Sequence, residues 1–306
     1  MPAGRQGYLF GILAYLIWGL FPLYWKLLRP SGPVEVLAHR IVWSFVFVAL
    51  LLTVVRGWRR LGPRLREPRT VGLVVLAGAV IAVNWGLYIY GVNSDRVVET
   101  SLGYFINPLV TVLLGVVVLR ERLRATQWVA IGIGAAAVAV LTVDYGHVPY
   151  LALSLAVSFG SYGLIKKRLG LPATDGLLLE SAVVVVPAAL YLVVLNNHGE
   201  GTVGHVSAGH TALVLVSGVV TAIPLLLFAG AANRIPLSAI GLLQYLTPML
   251  QLACGVLIFG EPMPTARLAG FALVWAALAV FTADGIRQVR RTRRATFVNV
   301  NEPAPA

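Results

Sequence analysis

Unbroken apolar runs of about twenty residues, separated by short polar loops, organise this chain from end to end. They fall at residues 7–27, 34–55, 71–92, 97–119, 126–143, 149–165, 175–195, 211–232, 237–259 and 267–283. A helix crossing a hydrocarbon core needs roughly 20 apolar residues. Strands of a membrane barrel alternate apolar and polar residues, and these runs do not. The pattern predicts ten transmembrane helices, the sixth short, with no soluble domain between them. The first run follows Arg5, is long, holds Trp18, Tyr24 and Trp25, and lacks a small-x-small cleavage site. It reads as an uncleaved span rather than a signal peptide. After Asp284 the chain turns basic and polar, and this tail is expected to be disordered.

Composition sharpens the reading. Of the 306 residues, 58% are hydrophobic and 12% charged, and the mean hydropathy is +0.83. A single soluble core stops growing near roughly 250–300 residues, so this apolar excess needs lipid as its solvent. The net charge of +12 would suggest nucleic acid in a soluble protein, but its placement says otherwise. With the N-terminus in the cytoplasm, most of the 24 Lys and Arg fall in alternate loops: Arg56 to Arg69, Arg120 to Arg124, Lys166 to Arg168, Arg234 and the tail. The other side keeps Lys26, Arg29, Arg96 and Arg267. This asymmetry predicts a multi-pass inner-membrane protein with both termini cytoplasmic, whose partners are lipid and a small-molecule solute, not nucleic acid. The single cysteine, Cys254, reads as a small buried hydrophobe, and no cofactor is implied.

The chain also repeats itself. Shifted by 140 positions, residues 73–121 lie on 213–261 without a gap. The pairs include Gly78 with Gly218, Asn93 with Asn233, Pro108 with Pro248, Gly115 with Gly255 and Glu121 with Glu261. Each half holds five spans, an odd number, so the halves must be inverted in the membrane, an arrangement typical of transporters with a midplane site between halves. Gly7-x3-Gly11 and Gly132-x3-Ala136 are small-residue spacings that let helices pack closely; packing within one monomer is the first reading and a homodimer seam the second. Mid-span prolines at 22, 108, 187, 224 and 248 free backbone carbonyls.

Ionisable residues inside the spans are few and costly to bury. Glu35, His39 and Arg40 open the second span, Glu99 the fourth, and Glu180 lies in the seventh. Glu35 and His39 share a face at i, i+4. A 141-residue shift, which also matches Lys26 with Lys167, sets His39 opposite Glu180. These five are candidates for ion coupling or gating; the alternative is that Glu35, Arg40 and Glu99 neutralise one another. Asn84, Trp85 and Tyr88 on the third span, Tyr104 and Asn107 on the fourth, and Gln244 and Tyr245 on the ninth are candidates for binding solute, since an apolar pocket with a few amides and phenols suits an amphipathic or aromatic molecule. An interfacial aromatic belt is the other reading, for Tyr90 above all. His198, His205 and His210 share one loop but make no metal-ligand spacing. No catalytic or nucleotide-binding motif is present.

Residues 38–44 (Ala-His-Arg-Ile-Val-Trp-Ser), Asn84-Trp85, residues 102–108 (Leu-Gly-Tyr-Phe-Ile-Asn-Pro) and residues 244–248 (Gln-Tyr-Leu-Thr-Pro) resemble the RarD group of EamA-type permeases, in the drug/metabolite transporter superfamily. The resemblance covers all but the tail. It implies an all-α integral membrane protein of ten transmembrane helices in two inverted five-helix repeats, residues 1–145 and 146–285, with a disordered basic cytoplasmic tail at 286–306. It implies a central cavity and a permease, not an enzyme, moving a metabolite or drug-like solute by efflux or exchange through alternating access. An intramembrane lipid-modifying enzyme built on Glu35 and His39, or a non-transporting scaffold or sensor, are the rival expectations.

Overall fold

In lipid every backbone amide needs an internal partner, and apolar helices supply one without help from water. The computed structural model describes residues 3–54, 58, 67–120, 122–171, 173–232, 234–235, 240 and 243–300, and among these it is helical with no strand. Ten helices follow in order: α1 (Ala3–Leu27), α2 (Pro33–Val54), α3 (Pro68–Asn93), α4 (Val97–Leu119), α5 (Ala125–Tyr145), α6 (Tyr150–Leu169), α7 (Ala173–Asn197), α8 (Ala208–Ala232), α9 (Leu246–Ala253) and α10 (Thr265–Val300). Eight are long and apolar enough to cross a membrane. The sixth and ninth are shorter, with apolar stretches Tyr150–Lys166 and Leu246–Ile258.

Helix ends follow local rules. Pro68 opens α3, where its missing N–H costs nothing. Gly146 closes α5 in the left-handed conformation, φ 70°. Pro22, Pro108, Pro187 and Pro224 sit inside helices. Pro248 stands in the first turn of α9. Residues 236–239, 241 and 242, the start of the predicted ninth span, lie outside the described residues, as does Glu121. The last helix runs on to Val300, where a disordered tail was expected.

The chain divides into two units. The first comprises residues 1–107 and 150–262, and the second residues 108–149 and 263–306. In the first, α2 packs on α7 and α8, α1 on α8 and α9, and α3 on α6 and α7. In the second, α5 packs on α10, with Leu141 seated over Gly270. That pair is fastened at both ends. Arg267 Nε donates to Asp144 at 2.9 Å, and the Asp284 carboxylate accepts from Arg124 and from Thr126 Oγ1.

The pairing list within these units has an internal order. Renumbering each helix by five turns α2–α8 into α7–α3, α1–α8 into α6–α3 and α2–α3 into α7–α8, and leaves α2–α7 and α5–α10 unchanged. Every one of those pairs is present, whereas α1–α9 and α1–α3 would become α6–α4 and α6–α8, which are not among the main packing pairs of the described residues. Close approaches keep the 140-residue register. A Cβ on Gly78 would meet the Glu180 carbonyl at 2.8 Å and Val183 Cβ at 3.4 Å; one on Gly218 would meet Trp43, which is Val183's equivalent, at 2.2 Å. Arg120 and Gly260, again 140 apart, both take left-handed backbone, φ 55° and 67°. At a 140-residue shift Glu180 falls on Arg40, and at a 141-residue shift on His39.

Candidate functional site

Arg40 lies about two turns into α2 and is only 4% exposed. Aromatic rings enclose its guanidinium. The Trp85 ring centroid of α3 is 4.1 Å from Cζ, and Trp25 and Phe21 of α1 stand at 5.0 and 5.9 Å. Phe21 and Trp25 are i, i+4, so one face of α1 presents both. The phenols of Tyr104, Tyr88 and Tyr24 lie within electrostatic reach. Nε and Nη1 of Arg40 have no hydrogen-bond partner. An arginine at a membrane-spanning helix centre costs on the order of 2.5–3.5 kcal/mol on insertion scales. A desolvated cation–π contact returns about 2 kcal/mol. The cage therefore offsets the charge, while two donors stay unused.

The acids that would neutralise Arg40 are engaged elsewhere. Glu35 Oε1 accepts from the backbone N–H and the hydroxyl of Thr202, at 2.7 and 2.8 Å. Glu99 Oε2 accepts from Arg96 Nη2 at 2.6 Å and Nε at 2.9 Å, and its Oε1 accepts from Leu151 N–H. Glu180, 2% exposed, accepts from Lys166 Nζ at 2.7 Å and from Tyr162 OH at 2.9 Å. The mutual neutralisation of Glu35, Arg40 and Glu99 allowed by the sequence is not what the fold builds.

Of the residues expected to bind solute, the structure gathers Trp85, Tyr88 and Tyr104 around Arg40. Tyr88 is 3% exposed and its OH has no partner. Its ring meets Tyr104 at 5.7 Å, and the aromatic series continues through Phe159 at 6.0 Å to Tyr162 at 6.2 Å. That series ends at the Lys166–Glu180 pair. Asn84 turns to α6 instead, where Nδ2 donates to Leu155 O at 3.1 Å and to Ser158 Oγ at 2.9 Å; its Oδ1 has no partner. Gln244 and Tyr245 occupy the turn before α9, and their neighbours Leu243 and Leu246 pack on the Tyr15 cluster. Asn107 is half-buried in α4. The buried His39 Nδ1 is without a partner.

The sequence reading missed Phe21, Trp25, Phe159 and Tyr162. Trp25 is fully buried. The available signal was its i, i+4 spacing from Phe21. Tyr90, at 43% exposure, fits the belt. His210 joins a separate cluster, with Nε2 3.0 Å from Ser31 Oγ and 3.1 Å from Leu28 O. Among the described residues no group of three His, Cys, Asp or Glu side chains could hold a metal.

The loops explain two further residues. A π-helical turn, Cys254–Ile258, ends α9, and Gly260 then turns the chain back. This aims Glu261 at the start of α4, where its carboxylate accepts from Val97 N–H at 2.7 Å and Val98 N–H at 2.8 Å. Burial lifts the Glu261 carboxyl above its ordinary range, against the pull of those two hydrogen bonds. Asp95, between α3 and α4, is held below the usual carboxylate range by its hydrogen bond from Lys26, with a further one from Arg29.

Residues 5–143 match the model of the EamA-like transporter family. A protein named RarD from Streptomyces exfoliatus is 53% identical over 94% of this chain and 92% of its own. The chain belongs to the EamA family. An uncharacterized transporter, YojE of Bacillus subtilis strain 168, is 42% identical over 94% of this chain and 97% of its own. A chloramphenicol-sensitive protein RarD of Pseudomonas aeruginosa is 29% identical over 96% and 99%. A solved crystal structure with a TM-score of 0.58, 21% identical over 93% of this chain and 99% of its own, shares the fold. As a member of the EamA family, within the drug/metabolite transporter superfamily, the chain is a multi-pass membrane protein. The Arg40 cage is built from the first four helices of this EamA chain, with α6 supplying the aromatic extension.

Proposed function

We propose that this EamA-family protein is a secondary transporter that moves a small metabolite or drug-like solute across the inner membrane by alternating access, in the direction of efflux or exchange, with both termini in the cytoplasm. The observation that carries the mechanism is the helix pairing that survives renumbering by five. Two halves with interchangeable contacts have two equivalent arrangements, and a solute site between them opens to one side in each. The same pairing supports two inverted repeats at residues 1–145 and 146–285, and the odd number of helices in each supplies the inversion. One relative named as an uncharacterized transporter and another named for chloramphenicol sensitivity support the solute class.

Ion coupling at His39 and Glu180, with Glu35 and Glu99 shaping the opposite mouth, is part of the proposal. The Lys166–Glu180 pair would have to open for Glu180 to exchange a proton, which makes it a gate as well. The lipid-modifying enzyme reading is weaker, because the Glu35 carboxylate already accepts twice from Thr202. The test is flux of a broad metabolite panel in inverted and right-side-out vesicles from cells with and without the protein. Protein-dependent movement of at least one solute in one orientation is expected. Absence of any protein-dependent flux across the panel would refute the transporter reading in favour of a scaffold or sensor.

A further inference from the structure

We propose that the transported solute is an organic anion, a carboxylate seated on the Arg40 guanidinium with its apolar or aromatic body among Trp25, Trp85, Tyr88 and Tyr104. This deepens the transporter reading and rests on it. Arg40 is buried, yet its Nε and Nη1 donate to nothing, and among the described residues no carboxylate pairs with it. Glu35, Glu99 and Glu180, the buried glutamates among the described residues, are all held by other donors. A buried charge without a counter-charge persists where a partner arrives from outside.

The surroundings carry the same sign. Trp25 Nε1 and Tyr88 OH are also buried without partners. Indole N–H and phenol O–H are donors that anions accept from. A planar guanidinium matches a carboxylate better than any other cationic side chain does, and the rings around it present flat apolar faces to the rest of the molecule. A cationic solute would face an uncompensated like charge, which disfavours that class.

The experiment uses three probes that share one ring: phenylacetate, phenylacetamide and phenethylamine. Binding to the full-length protein in lipid nanodiscs is read by intrinsic tryptophan fluorescence, with Trp25 and Trp85 at the site. Phenylacetate is expected to bind about tenfold or more tighter than the amide, the low end of what a charge-assisted hydrogen bond contributes, and the amine is expected to bind weakest. Arg40→Lys should keep a reduced anion preference. Arg40→Gln should lose it while leaving amide affinity within about twofold. If the amide or the amine binds wild type as tightly as phenylacetate, or if phenylacetate does not bind, the proposal is overturned, whatever the variants do. Arg40→Gln that folds and keeps the full preference also overturns it. Counterflow of the same probes in proteoliposomes separates the two readings. Arg40-dependent anion binding without counterflow leaves the anion site standing and refutes transport. Counterflow of all three probes at equal rates refutes the anion site and leaves transport standing.

Discussion

Gly218→Ala tests whether the backbones of α2 and α8 must touch. A methyl group built on Gly218 would sit 2.2 Å from the carbonyl carbon of Trp43, 2.4 Å from its oxygen and 2.5 Å from Ser44 N. Ordinary carbon contacts begin near about 3.5 Å, so the shortfall is roughly 1.3 Å. The atoms it meets are backbone, which no rotamer change can move aside. The helices must separate by on the order of an ångström, and overpacking of this kind costs typically about 1–3 kcal/mol. Because α2 also packs on α7 and α8 on α1, the shift would spread, and the upper end, about 3 kcal/mol, is expected. The assay is the thermal unfolding midpoint of the protein in detergent. Gly132→Ala is the control: Gly132 has open space around its Cα, and that substitution should be neutral or slightly stabilising. If Gly218→Ala unfolds at the wild-type midpoint, the α2–α8 contact is looser than described and the close-packing argument is wrong.

Other outcomes follow from single side chains. Glu261→Ala removes the acceptor for Val97 and Val98 N–H and should cost about 1–2 kcal/mol, with Glu261→Gln costing less because one oxygen remains; a wild-type midpoint for the alanine variant would refute the capping role. Asp95 has a depressed carboxyl pKa when folded, so its stabilising effect is present above the unfolded carboxylate pKa and is lost as pH falls through the folded one. The effect is small, since the Asp95 side chain is largely exposed and screened, and Asp95→Asn should flatten the acid limb of the midpoint-against-pH curve; an unchanged limb would show that the Lys26 and Arg29 contacts contribute nothing. His39→Gln and Glu180→Gln should each reduce pH-gradient-driven accumulation while sparing counterflow, and wild-type accumulation in both would show that neither carries the proton.

Ten apolar runs, the 140-residue self-match and five ionisable residues within the spans were legible along the chain. Each is a property of composition at fixed spacing, and hydrophobicity over about twenty residues is what selects a spanning helix. What the sequence left open was direction. A helix in lipid is apolar on all sides, so polarity does not mark the face that turns inward. Trp25 is fully buried and Trp128 is 52% exposed, yet both are tryptophans in apolar runs. The sequence allowed Glu35, Arg40 and Glu99 to neutralise one another. Tertiary packing gave Glu35 to Thr202 and left Arg40 to the rings of α1 and α3, while Glu99 took Arg96, three residues before it. Glu261 was visible as half of a repeated pair, but only the π-helical turn and Gly260 aim it at the start of α4. The Glu35–Thr202 contact, 167 positions apart, and the Glu261 contacts to Val97 and Val98, 164 and 163 apart, exist only once the helices have packed.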